Sequence, residues 1–342
     1  MKKLLKISSL GLISILPFAI ACKNTQEISY KNYFKQQTNV NQDKLAEIAN
    51  EYFFDDKDSE SFKKDFFNRQ NSIKSSYTTE LNVSLAFAPT YLTQNTLNIA
   101  TNLEARYAQR SVEVLKQATT DNWYWILNNI SKFTFLFNGF NFRFKDHKDE
   151  KNKNDDSDRQ VFIDLLEKNK TLLFINKEMI IKTIFEFDFD SKMVDKVNDV
   201  YLDKKIVFVQ FNDNVLLPFF SYKTQDSNKQ NKHIQLVPEI FVFNNNITQD
   251  DVVKLYTSIV DAYVFYYDDY LDYAKKSNSN WNTEKENEAK KEINDAVYLD
   301  LYNQKSYYKS FYKAVKEFNK QTQNSESDLR VYRYAWGIID EK

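Results

Sequence analysis

Glycine is nearly absent from this chain: three among 342 residues, Gly11, Gly139 and Gly337. A backbone that turns at positive φ, or that lets a phosphate approach closely, relies on glycine at those points. Neither a P-loop nor a dinucleotide-binding turn can be assembled from so few. The Gly-x-Ser-x-Gly turn of many serine hydrolases is missing as well. Folds built on Gly-rich strand–helix crossovers, including the two-lobed solute-binding architecture, are disfavoured for the same reason. Helices and antiparallel strands remain, joined by turns that use Asn and Asp.

Gly139 sits inside Phe133-Thr134-Phe135-Leu136-Phe137-Asn138-Gly139-Phe140-Asn141-Phe142-Arg143-Phe144. Rings alternate here with period two around Asn-Gly, the strongest two-residue hairpin signal. The spacing predicts a hairpin pairing Phe137 with Phe140, Phe135 with Phe142 and Phe133 with Phe144 on one face. Before it, from about 39 to 129, the period is helical: Leu45, Ile48, Ala49 and Tyr52, then Leu97, Ala100, Leu103, Tyr107, Val114 and Leu115. Three or four helices are predicted, with a break at Ala88-Pro89-Thr90 because proline lacks the amide donor.

Residues 145–160 contain no apolar side chain and read as an exposed loop. Strands are predicted at 171–176, 183–190, 205–211, 215–222 and 234–243, with a turn at Asn212-Asp213-Asn214 and a short helix near 194–202. An antiparallel helix pair follows. Its first stripe runs through Val252, Tyr256, Ile259, Tyr263, Tyr266/Tyr267, Tyr270 and Tyr273. Its second helix opens on a Thr283/Glu286 capping box and carries a stripe through Ile293, Val297, Leu301, Tyr308, Phe311, Val315 and Phe318. A last strand over 329–339 carries Tyr332, Tyr334 and Trp336 on one face. The expected fold class is α+β: N-terminal helices, a central antiparallel sheet with an Asn-Gly hairpin, and a C-terminal antiparallel helix pair.

One cysteine, Cys22, is the only one in the chain. It follows a basic start (Lys2, Lys3, Lys6), an apolar run from Ile7 to Phe18, and the small residues Ala19 and Ala21. This order resembles a bacterial lipoprotein signal, in which the thiol receives a diacylglyceryl group and becomes the first residue of the mature chain. Two acyl chains hold a protein on a bilayer where one binds marginally, at about 0.8 kcal/mol per buried methylene. The alternative is an uncleaved N-terminal membrane helix, but the apolar run from Leu4 to Ala21 is barely long enough to span, and Pro17 interrupts its end. The organisation expected is signal peptide 1–21, lipidated Cys22 with a polar tether to 38, and one α+β domain over 39–342. With no second cysteine there is no disulfide framework, so stability rests on the core.

Candidate chemistry is sparse. The formal charge is −1, or about −4 once the leader lysines are gone, which argues against a nucleic-acid-binding surface. The two histidines, His147 and His233, have no second metal ligand at a recognisable spacing. Glu186, Asp188 and Asp190 alternate with Phe185, Phe187 and Phe189, but a calcium loop read from Asp188 lacks the turn glycine and the terminal glutamate. A solvated acidic face over a buried Phe face explains the alternation. No catalytic residue, metal site or cofactor is expected.

The chain carries 28 Phe and 22 Tyr. Together with abundant Lys, Asn and Ile, these are residues of AT-rich codons. The leader through Cys22, Trp123-Tyr124-Trp125, the Phe133–Phe144 run and Tyr332-Arg333-Tyr334-Ala335-Trp336-Gly337 resemble the aromatic-motif or aromatic-cluster surface lipoproteins of mollicutes. The resemblance implies a cell-surface location and brings no catalytic residues. Trp123, Tyr124, Trp125, Tyr332, Tyr334 and Trp336 form the candidate binding surface, since Tyr and Trp combine apolar area with a polar tip. The expected function is non-enzymatic adhesion, with membrane lipid held through Cys22 and a host or envelope macromolecule as partner. The alternatives are a transporter's solute-binding lipoprotein and a surface hydrolase.

Overall fold

In the computed structural model, residues 41–93, 102–137, 172–173, 178–188, 201–226, 229–290, 305–322 and 329–339 are described. They lie within one compact unit spanning 38–341. Among the described residues it opens with the helices α1 (Gln42–Tyr52), α2 (Glu60–Asn71), α3 (Ser75–Thr93), α4 (Asn102–Thr120) and the short α5 (Trp123–Asn128). The expected stripe of α1, Leu45, Ile48, Ala49 and Tyr52, is the face it buries. Ser59 caps α2 by accepting from the Phe62 amide at 3.2 Å. The predicted break at Pro89 is wrong: α3 continues through it to Thr93. A proline removes one intrahelical bond, and the remaining turns carry the helix past that point.

The strands are β1 (Phe133–Phe137), β2 (Leu172–Leu173), β3 (Ile181–Asp188), β4 (Tyr201–Phe211), β5 (Val215–Asp226), β6 (Lys229–Leu236), β7 (Glu239–Phe243) and β8 (Val331–Ile339). They form one sheet in the order β2-β1-β8-β7-β5-β4-β3, with β6 paired to the distal part of β5. All its pairings are antiparallel. The β4–β5 turn falls where Asn212-Asp213-Asn214 was predicted, and Asn212 takes φ 52°, which an asparagine tolerates. Tyr201 and Leu202 belong to β4 rather than to a helix, and the predicted 234–243 strand is broken at Val237-Pro238 into β6 and β7.

Local pairing around Asn138-Gly139 does not explain β1. Residues 140–144, the predicted second arm, lie outside the described residues. Phe135 is flanked on its two sides by Leu173 of β2 and Trp336 of β8, so the expected Phe135/Phe142 pair has no free edge to form on. Distant strands take both positions.

The sheet is covered on both faces. Glu186, Val207 and Phe219 line up across β3, β4 and β5, and so do Phe187, Ile206 and Phe220 one residue along. Adjacent residues of a strand point to opposite faces. Tyr52 at the end of α1 meets the first row, its ring 5.4 Å from Phe219. The second row meets α6 (Gln249–Ser277), where Tyr256 stacks on Phe187 at 4.4 Å. Alternation from Phe220 through Leu216, and across the Leu216–Phe241 pairing, places Phe243 on that same second face. There it meets Phe318 of α7 (Lys305–Thr322) at 5.9 Å. The N-terminal helices therefore clad one face and α6 and α7 the other. This explains why Ile206 to Val209 and Leu216, Leu217, Phe219 and Phe220 are buried without alternation.

Two helix starts show how sequence signals are used. Thr248 and Asp251 form a reciprocal capping box at α6, encoded by a Thr-x-x-Asp pattern. At the next helical stretch, 283–290, the cap is Asn282 rather than Thr283: its side chain accepts from the Lys285 amide at 3.0 Å. Of the predicted second helix, 283–290 and α7 are described, 291–304 lie outside the described residues, and α7 packs against α6. The predicted stripe of α6 does not reach Tyr273, which is exposed.

Gly337 is required by close approach. Register slips between Phe133 and Phe135, so that Gly337 and Ile338 of β8 bulge opposite Thr134. A Cβ at Gly337 would collide with the Thr134 hydroxyl and lie 2.9 Å from its carbonyl oxygen. Gly337→Ala is expected to destabilise the domain by about 1–3 kcal/mol, because backbone on the neighbouring strand must move. A urea midpoint unchanged from the parent would show that the bulge accommodates a methyl group.

Candidate functional site

The rings singled out as a recognition surface are mostly interior. Trp123 is fully buried and Tyr124 nearly so, with Trp125 half-buried. Trp123 lies 5.6 Å from Phe53 and stacks at 5.9 Å on Phe66, while Tyr124 meets Phe67 edge-on at 5.0 Å. Phe54 and Phe62 extend the same group, Phe54 meeting Phe66 at 5.4 Å and Phe62 at 6.1 Å. The result is one cluster of seven rings joining the end of α1, α2 and α5. Edge-to-face geometry adds about 0.5–1.5 kcal/mol per pair beyond area burial. Gln70 fastens the cluster: its side-chain amide donates to the Asp121 carbonyl at 2.8 Å and accepts from the Trp125 amide at 3.1 Å.

Tyr332, Tyr334 and Trp336 are buried too. They share one face of β8, as expected, and that face is covered. Trp336 meets Phe133 at 5.5 Å, and burial pushes the Tyr334 hydroxyl up to about 12. The expectation of an exposed Tyr/Trp surface is corrected at these five positions, Trp123, Tyr124, Tyr332, Tyr334 and Trp336. Their apolar area is removed from water between sheet and helices, which contributes about 1.5–3 kcal/mol per large side chain. The indole N–H groups of Trp123 and Trp336 find no acceptor among the described residues.

Polar groups gather elsewhere. Glu186 of β3 accepts from Lys205 of β4 and from the Tyr52 hydroxyl. Partial burial alone would raise its carboxyl, but the hydrogen bonds from Lys205 and Tyr52 outweigh it and hold Glu186 below the usual carboxylate range. Burial, then the Glu186 hydrogen bond, drives the Tyr52 hydroxyl far upward. The three side chains pin α1 to the sheet. Glu186 and Asp188 lie on exposed positions of β3, as the acidic-face reading predicts, while Asp190 is outside the described residues.

His233 of β6 shares a 2.7 Å hydrogen bond with Thr224 and stacks on Tyr222 at 5.1 Å. Burial lowers its pKa, against the pull of Asp55 and Asp121. His147 lies outside the described residues. Among the described residues no group of three or more His, Cys, Asp or Glu is placed to hold a metal ion, and no helix is long and apolar enough to cross a membrane.

What the geometry defines is a helix-clad antiparallel sheet with its clustered aromatics turned inward. The chain belongs to the aromatic cluster surface protein family, whose family model matches residues 20–274. The match takes in Cys22, the seven-ring cluster and strands β1 to β7; β8 lies beyond it. No curated protein and no solved structure matches. Membership places the chain among surface proteins.

Proposed function

We propose that this chain is a lipid-anchored mollicute-type surface lipoprotein whose domain binds a host or envelope macromolecule without turning it over. The observation behind the proposal is the placement of Cys22. The sole thiol of the chain closes a basic, apolar and small-residue leader and falls inside the region matched by a surface-protein family. Acylation there would hold the protein on the outer face of the cell membrane by two hydrocarbon chains. With five of the six candidate rings interior, contact with a partner falls to the charged and amide side chains of the exposed helix faces and of β3.

The full-length chain and Cys22→Ser, made in a bacterium that processes lipoproteins and fed labelled palmitate, test the anchor. The parent is expected to carry label and to fractionate with membrane, and the variant to lose both while its domain stays folded. A parent without label, or a variant that remains membrane-bound, would overturn the proposal. Binding is read separately, by presenting the chain from Lys23 onward to host cells: saturable binding supports adhesion, and its absence moves the role elsewhere.

A further inference from the structure

We draw no further inference here: the strongest candidate, the open rim of the seven-ring cluster where Phe62 of α2 stands half-exposed while Lys63 and Arg69 lie over Phe54 and Phe66, is an unpartnered apolar patch and nothing in the structure shows what covers it.

Discussion

A chain ending at residue 328 is expected not to fold. Strand β8 runs between β1 and β7 and supplies ladder partners to both, from Phe133↔Ile339 to Phe243↔Val331. Its Val331, Tyr332, Tyr334, Trp336 and Ile339 are all buried. At about 1.5–3 kcal/mol for each large side chain, their loss removes on the order of 10 kcal/mol, as much as a domain's entire net stability of about 5–15 kcal/mol. The ends of β8 are also fastened by side chains. Asn82 of α3 bonds both the amide (2.6 Å) and the carbonyl (2.8 Å) of Ile339, and Asn319 of α7 does the same for Val331 at 3.0 and 2.9 Å. Circular dichroism and a urea titration of the truncated chain provide the check. A cooperative transition like the parent's would mean the domain folds without β8.

The second large effect is expected at Glu239. Its carboxylate on β7 receives the Arg333 guanidinium of β8 through contacts of 2.7, 2.7 and 2.9 Å, with both residues 3 % exposed. Glu239→Ala leaves the guanidinium in the interior without that carboxylate, which costs about 3–5 kcal/mol. Replacing both partners with apolar side chains, Glu239→Leu with Arg333→Met, removes the stranded charge and is expected to recover most of the loss. Chemical denaturation of the single and double variants distinguishes the cases. A single variant within about 0.5 kcal/mol of the parent would mean that the pair is not the desolvated bridge its geometry describes.

The elements themselves were largely legible, because each is set by short-range patterns. The stripe of α1, the alternation of β3, the Asn-rich β4–β5 turn and the terminal strand all sit where hydrophobic period and turn chemistry put them. Neighbourhood was not legible. Asn-Gly after a run of alternating phenylalanines favours a local hairpin, yet Phe135 pairs with Leu173 and Trp336, the latter some two hundred positions away. Strand order depends on which faces the helices cover, and no window of sequence contains that information.

The candidate site failed for the same reason. Alternation of Tyr332, Tyr334 and Trp336 with Arg333 and Ala335 reads as a half-solvated strand. Here helices cover both faces, and the one strongly polar residue of the alternate set, Arg333, has its carboxylate on the adjacent strand. Trp123-Tyr124-Trp125 points its rings in different directions around a helix, and α2 closes over two of them. The Phe62/Phe66 spacing of four on α2 carried the local signal that another ring-bearing face was waiting.

That the clustered rings of this chain form an interior is tested most directly by collisional quenching of single-tryptophan variants. In one variant Trp123 is retained and the other three tryptophans become Phe; in the other Trp336 is retained. Acrylamide is expected to quench each of them several-fold less in the folded protein than after denaturation, with blue-shifted emission in the folded state. Quenching as strong in the folded protein as in urea, with the circular dichroism spectrum intact, would put those rings at the surface and restore them as a contact site.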